Sequence, residues 1–236
     1  MFDVFNSLKP LQIGVLVAVL LGVVGGTYGV YTLISGSGQV ALEEDQQFAL
    51  QAPSIERKPG DVVIEFADGS VARYRVKEEL ARVSVPGDAV GETPDVVGAI
   101  VFSADGAVQP GSKIVVDLRT LRSDEARRDN FLRRNSLESN RFPLAEFLIR
   151  EVSGLSWPLP ESGETGFQLH GDMTLHGVTA PLTWDVIANF GPEGITGRAT
   201  TRFQFGDFDM SKPSLFFIIS VEDDMRLEVD FKAHPS

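Results

Sequence analysis

Apolar and polar residues alternate with a period of two through most of the second half of this chain, and that rhythm limits the fold more than any other feature. In "KIVVDL", Ile114, Val116 and Leu118 point one way; in "LAEFLIR", Ala145, Phe147 and Ile149 do so against Glu146 and Arg150. "FQLHGDMTLH" sets Phe167, Leu169, Met173 and Leu175 against Gln168, His170, Asp172 and His176. "LTWDVIANF" places Leu182, Trp184, Val186, Ala188 and Phe190 on one face. "RATTRFQF" does the same with Ala199, Phe203 and Phe205, and "MRLEVDFK" with Met225, Leu227, Val229 and Phe231. Successive side chains of a strand point to opposite sides, so each stretch reads as a strand with one buried and one wet face. With "VVIEF", "VARYRV" and "VGAIVF" earlier in the chain, the pattern predicts about nine strands and one helical interruption. Half-buried alternation belongs to antiparallel sheet, since parallel strands are buried on both faces. The fold class is mainly β, and the alternation leaves a barrel and a sandwich both open.

The N-terminal part follows another rule. Leu11 to Ile34 runs 24 residues without a charge. As a helix it would be about 36 Å long, enough to cross a hydrocarbon core of about 30 Å. A cleaved signal peptide has a shorter apolar region and a more basic start, so an uncleaved signal-anchor is expected, although a cut near Ser35–Gly38 is sterically open. Lys9 precedes the run and the next Lys or Arg after it is Arg57, which puts the N-terminus in the cytoplasm and the bulk of the chain outside it. Gly14, Ala18, Gly22 and Gly26 form a stripe of small residues suited to pairing with another transmembrane helix or a second copy. The expected organisation is a cytoplasmic tail (1–10), a transmembrane helix (11–34), a polar linker (35–60) and one β domain (61–236).

Composition closes several functional routes. The chain has no cysteine, which excludes disulfides, thiolate nucleophiles and cysteine metal sites. A formal charge of −12 argues against a nucleic-acid partner. His170 and His176 share a strand face but stand about 20 Å apart at ~3.3 Å per residue, too far to share a metal. His234 is expected to fray at the terminus. No nucleophile–base pair is written in the sequence, so no catalytic residue is assigned, the chain reads as a binding protein, and neither metal nor resident cofactor is expected.

The segment "RRDNFLRRNSLESNRFP" (127–143) carries five arginines within this acidic chain. Ser123 as N-cap, with Asp124 and Glu125 in the first turn, predicts a short helix. Helical spacing pairs Glu125 with Arg128 and Asp129 with Arg133, and Asn135 is placed to end the helix in the left-handed conformation. Pro143 then sets an extended conformation for the next strand.

Three stretches in order, "PGSKIVVDLRTLRSDEARRDNFLRRNSLESNRFPLAEF", "GDMTLHGVTAPLTWDV" and "SVEDDMRLEVDF", resemble the YceI-like family of lipid-binding proteins. The resemblance covers most of Val62 to Lys232. It implies a lipocalin-like antiparallel barrel of about eight strands with an apolar tunnel for an isoprenoid chain or prenylated quinone, and so selects barrel over sandwich. The implied function is a membrane-tethered, extracytoplasmic lipid binder or carrier; the alternative is an accessory subunit of a membrane complex with a filled barrel. Phe147, Leu169, Met173, Trp184, Phe203, Phe205 and Leu227 become candidate tunnel-lining residues, with Phe131 and Phe142 near a mouth. Arg128 and Asp129 are expected to fix the helical connection by pairing with each other or with the barrel, and Arg133 and Arg134 to stand where a head group could be met. Many relatives carry histidines where this chain has Glu125 and Phe131, so a histidine grip on a head group is not expected here.

Overall fold

A computed structural model describes residue 50 and residues 53–80, 87–214 and 218–236 of the chain. The expected tail, transmembrane helix and small-residue stripe (Gly14, Ala18, Gly22, Gly26) lie outside the described residues. Among the described residues no helix is long and apolar enough to cross a membrane.

Twelve strands are described. They are β1 (Val62–Phe66), β2 (Val71–Leu80), β3 (Gly87–Thr93), β4 (Val96–Phe102), β5 (Lys113–Asp117), β6 (Arg122–Ser123), β7 (Leu144–Ser153), β8 (Gly163–Leu175), β9 (Val178–Gly191), β10 (Gly194–Phe203), β11 (Ile218–Val221) and β12 (Met225–Pro235). Helix α1 (Ala126–Phe131) runs into a π-helical turn (Leu132–Ser136), and a 3-10 turn (Phe205–Phe208) follows β10. Strands β1, β4, β5, β7, β8, β9, β10 and β12 form a ring in which β12 returns to pair with β1. The result is a closed, eight-stranded antiparallel barrel with one short helical connection.

The extra strands are continuations of barrel strands beyond sharp bends. β1 and β2 both run antiparallel to β12, β1 along Ala233–Pro235 and β2 along Arg226–Asp230. β3 and β4 follow them in the same way, pairing with β2 and β1. At the first bend Gly69 takes a φ of 88°, and the buried Ser70 side chain replaces lost ladder bonds. Its hydroxyl donates to Ala67 O (2.9 Å) and accepts from Lys232 N (3.1 Å). The bend between β3 and β4 falls at Pro94–Asp95, where Asp95 N donates to the buried Thr93 hydroxyl (3.0 Å).

Several local expectations are corrected. Phe205 belongs to the 3-10 turn, not to a strand, and is still buried. His234 is held in β12 opposite Glu65 and does not fray, because barrel closure needs that strand end. Part of the stretch read as linker is packed: Ile55 lies against Val63, Ala99 and Val101 on the outer wall. His176 turns out of the strand into the left-handed conformation (φ 52°) at the β8–β9 turn.

Inward residues of all the ring strands meet in a single apolar core. Close strand contact depends on Gly171, where a Cβ would stand 2.1 Å from Leu148 O across the β7–β8 irregularity. Backbone atoms cannot yield there as a side-chain tip would. Gly171→Ala is therefore expected to cost about 2–3 kcal/mol through forced strand displacement, a drop of roughly 5–10 °C in thermal melting followed by circular dichroism. An unchanged melting temperature would show that the strands separate freely at this point.

Candidate functional site

The barrel interior is not filled. A cavity of about 100 Å³ lies toward the end covered by α1 and the 3-10 turn, and a smaller one of about 30 Å³ lies deeper. Ile114, Leu169 and Ala199 line both and form the waist between them. The deep end is closed by rings: Phe66 stacks on Phe231 with centroids 5.5 Å apart, and Phe102 meets Trp157 at the same distance. Trp157 Nε1 donates to Ala104 O (3.0 Å), which anchors the plug.

Seven of the nine aromatic and aliphatic candidates line the larger cavity: Phe147, Leu169, Met173, Trp184, Phe203, Phe205 and Leu227. Phe147 and Trp184 face each other at 5.9 Å between centroids. Phe131 and Phe142 do not line it. Phe142 packs edge-on against His176 at 4.9 Å and lies over Gly177, on the rim. Phe131 is turned aside because the inward face of its segment belongs to Arg128, Leu132 and Ser136, four residues apart, all of which reach the cavity.

The helical connection is anchored through that same face, and not as its sequence suggests. Glu125, not Ser123, is the N-cap, its carboxylate accepting from Arg127 N (3.0 Å). Ser123 belongs to β6, where its hydroxyl and backbone N–H both donate to Asp129 (2.6 and 3.0 Å). Arg128, only 5% exposed, pairs with the equally buried Glu78 of β2 and donates to Asp124 (2.7 Å). Arg128 and Asp129 thus hold the barrel wall and not each other. Glu138, not Asn135, takes the left-handed conformation after the helix (φ 46°). Arg133 bonds Asn130 (3.0 Å) and Arg134 is exposed; neither lines the cavity.

On the rim, both ring nitrogens of His176 face acceptors, Phe208 O at 3.1 Å and Glu138 Oε2 at 2.8 Å. The imidazole thereby ties the helical connection to the 3-10 turn. His170 sits on the outer wall between Ser153 (2.8 Å) and Thr183 (3.0 Å). Among the described residues no group of three His, Asp or Glu side chains converges as a metal site.

Burial governs the titration of Glu78 and Tyr74, two groups beside the cavity. It pushes the Glu78 carboxyl upward, against the opposing pull of Arg128. The buried Tyr74 phenol is pushed well above its usual range for the same reason. Glu78 was missed as a functional residue because "KEEL" reads as solvated charge. Its parity was the available signal, since Ala72, Tyr74, Val76 and Glu78 share one face of β2 and all are buried.

Removing one partner of a buried ion pair leaves the other charge stranded. Arg128→Met alone is expected to cost about 3–5 kcal/mol, and Arg128→Met with Glu78→Met to recover most of that, in a urea-denaturation cycle. Equal losses for the single and double variants would remove the pair from its structural role.

Comparison with known proteins fits this geometry. The matching family is described as the YceI-like domain, over residues 67–233. A UPF0312 protein of Pseudomonas putida is 34% identical over 121 residues, covering 48% of this chain and 59% of the relative. One from Vibrio vulnificus is 32% identical over 120 residues, again covering 59% of its length. Among solved structures, a polyisoprenoid binding domain from Saccharophagus degradans shares the fold at a TM-score of 0.53 and 10% identity, covering 74% of this chain and 98% of that one. BcnA of Burkholderia cenocepacia does so at 0.52 and 13%, covering 71% and 96%. The family match runs from the bend after β1 almost to the end of β12, and the chain belongs to the YceI-like domain family.

Proposed function

We propose that the barrel binds a single apolar, chain-like lipid of isoprenoid type, a prenylated quinone among the candidates, and acts as a membrane-tethered carrier or binder outside the cytoplasm. The observation that carries this reading is a closed barrel whose interior keeps an open cavity walled by Phe, Trp, Leu, Met, Val and Ala side chains. Well-packed interiors leave few voids larger than a water molecule, and an empty apolar cavity costs stability, so a retained one has a use. Each square ångström of apolar ligand surface removed from water there contributes about 25 cal/mol before ordering costs.

The polyisoprenoid binding described for the Saccharophagus degradans domain supports the ligand class through the shared fold. Tethering rests on the uncharged run of 24 residues from Leu11 to Ile34, which would hold the barrel beside the bilayer that supplies such a lipid. Among the described residues no nucleophile–base pair lines the cavity, and we read the chain as a binding protein.

Ala199 lines both cavities, so a larger side chain there projects into the space a ligand would occupy. Full-length chain, extracted from membranes in mild detergent, is expected to carry a lipid mass by native mass spectrometry. Ala199→Leu should lose that mass while melting at or above the parent temperature, because it fills a void. Absence of lipid from the parent chain, or undiminished loading of a folded Ala199→Leu, would count against the proposal.

A further inference from the structure

Four polar atoms of residues lining the cavity have no hydrogen-bond partner: the Tyr74 hydroxyl, Arg128 Nε, the Trp184 indole N–H and Glu228 Oε2. All four residues are buried, at 7%, 5%, 6% and 2% exposure. Buried polar groups are almost always satisfied, and each exception calls for an explanation. That four fall on the wall of one apolar cavity points to a ligand that completes them. We infer that this wall is a recognition site for a neutral, oxygen-bearing head group, a hydroxyl at the end of the apolar chain. The inference rests on the lipid-binding reading above and adds to it the chemistry of the head.

The structure shows how the site is built. Tyr74 opposes Gly91, and Gly91 opposes Ser123, across three adjacent strands. A Cβ at Gly91 would stand 2.2 Å from the Tyr74 ring, so the missing side chain lets the ring lie flat across β3. Its hydroxyl is thereby carried toward Ser123 and the Arg128 guanidinium, without reaching hydrogen-bond geometry with either. Ser123 is itself engaged with Asp129. The terminal nitrogens of Arg128 are taken by Glu78 and Asp124, and Nε is the donor left over.

Hydrogen-bonding capacity then fixes the class. An indole N–H and an arginine Nε–H can only donate, and a phenol donates as readily as it accepts. A ligand completing these donors must bring an acceptor oxygen, while Glu228 Oε2 can only accept and calls for a donor; a hydroxyl supplies both. Charge decides which kind: Arg128 is already opposed by Glu78 and Asp124, with Asp129 one residue away. One guanidinium among three carboxylates leaves no surplus positive charge for a carboxylate or phosphate head in a desolvated site. Arg73 also borders the cavity but is paired with Glu92 and Asp230, and the half-buried Arg133 and exposed Arg134 do not line it.

The test compares farnesol, farnesoic acid and farnesene, which share a chain and differ at the head, by quenching of Trp184 emission in the full-length chain and in Tyr74→Phe. The parent is expected to bind farnesol about tenfold more tightly than either other probe, and Tyr74→Phe to lose about tenfold for farnesol and nothing for farnesene. Removing an unpaired buried hydroxyl should leave the melting temperature of Tyr74→Phe unchanged or raised. Equal affinity of the parent for farnesol and farnesene, or unaltered farnesol binding by Tyr74→Phe, would overturn the head-group site and leave the apolar cavity standing. Tighter binding of farnesoic acid would overturn the charge argument. Failure to bind any of the three would overturn the lipid-binding reading itself.

Discussion

Closure of the sheet is the constraint on which everything else depends. β12 ends against β1, with Ile64 opposite Pro235, and Val63 and Ser236 exchange both backbone bonds (3.0 and 2.8 Å). A closed sheet has no unpaired ring edge, and eight strands enclose an interior just wide enough for side chains or one small ligand. The two ends of the β domain must meet before the inside is separated from water. The cavity is a property of that closure and not of any one strand.

The closed wall divides the chemistry sharply. Inside, apolar side chains leave a void between the aromatic plug and the helical cap. Outside, charges form ladders across strands: Glu92, Arg73, Asp230 and Arg198 span β3, β2, β12 and β10. Hydrogen bonding from Arg198 is the main reason the Asp230 carboxyl titrates below its usual range. Exposed pairs of this kind contribute little singly, about 0–1 kcal/mol. The pair that crosses the division is different, because Arg128 and Glu78 are both buried and tie the cap to β2 next to the open space. The arginine-rich segment is thus a cap anchored by its most buried arginine.

Much of this was legible in sequence, for a definite reason. β8, β9, β10 and the start of β12 are long and straight enough for period-two alternation to show. β3, "GDAVGET", and β11, "IISV", were missed because bent, glycine-bearing or very short strands break that rhythm. Of the cavity wall, residues such as Trp184 and Leu227 followed from parity. Phe131 was misplaced because helical phase, not apolar character, decides which side faces in. The Arg128–Glu78 pair could not be read from spacing, since the partners are 50 residues apart and meet only when β2 passes beneath the helix. Unpaired groups such as the Tyr74 hydroxyl are a property of three-dimensional packing alone.

The central claim is that the interior cavity is where a lipid sits, and the chain supplies its own reporters. Of its four methionines, Met173, Met210 and Met225 line the larger cavity and the fourth is Met1. With methionine methyl groups labelled with carbon-13, magnetisation transfer from a bound prenyl chain should reach Met173, Met210 and Met225 and spare Met1. Transfer confined to Met1, or to none of the four while the lipid remains bound, would place the ligand outside the barrel and contradict the account.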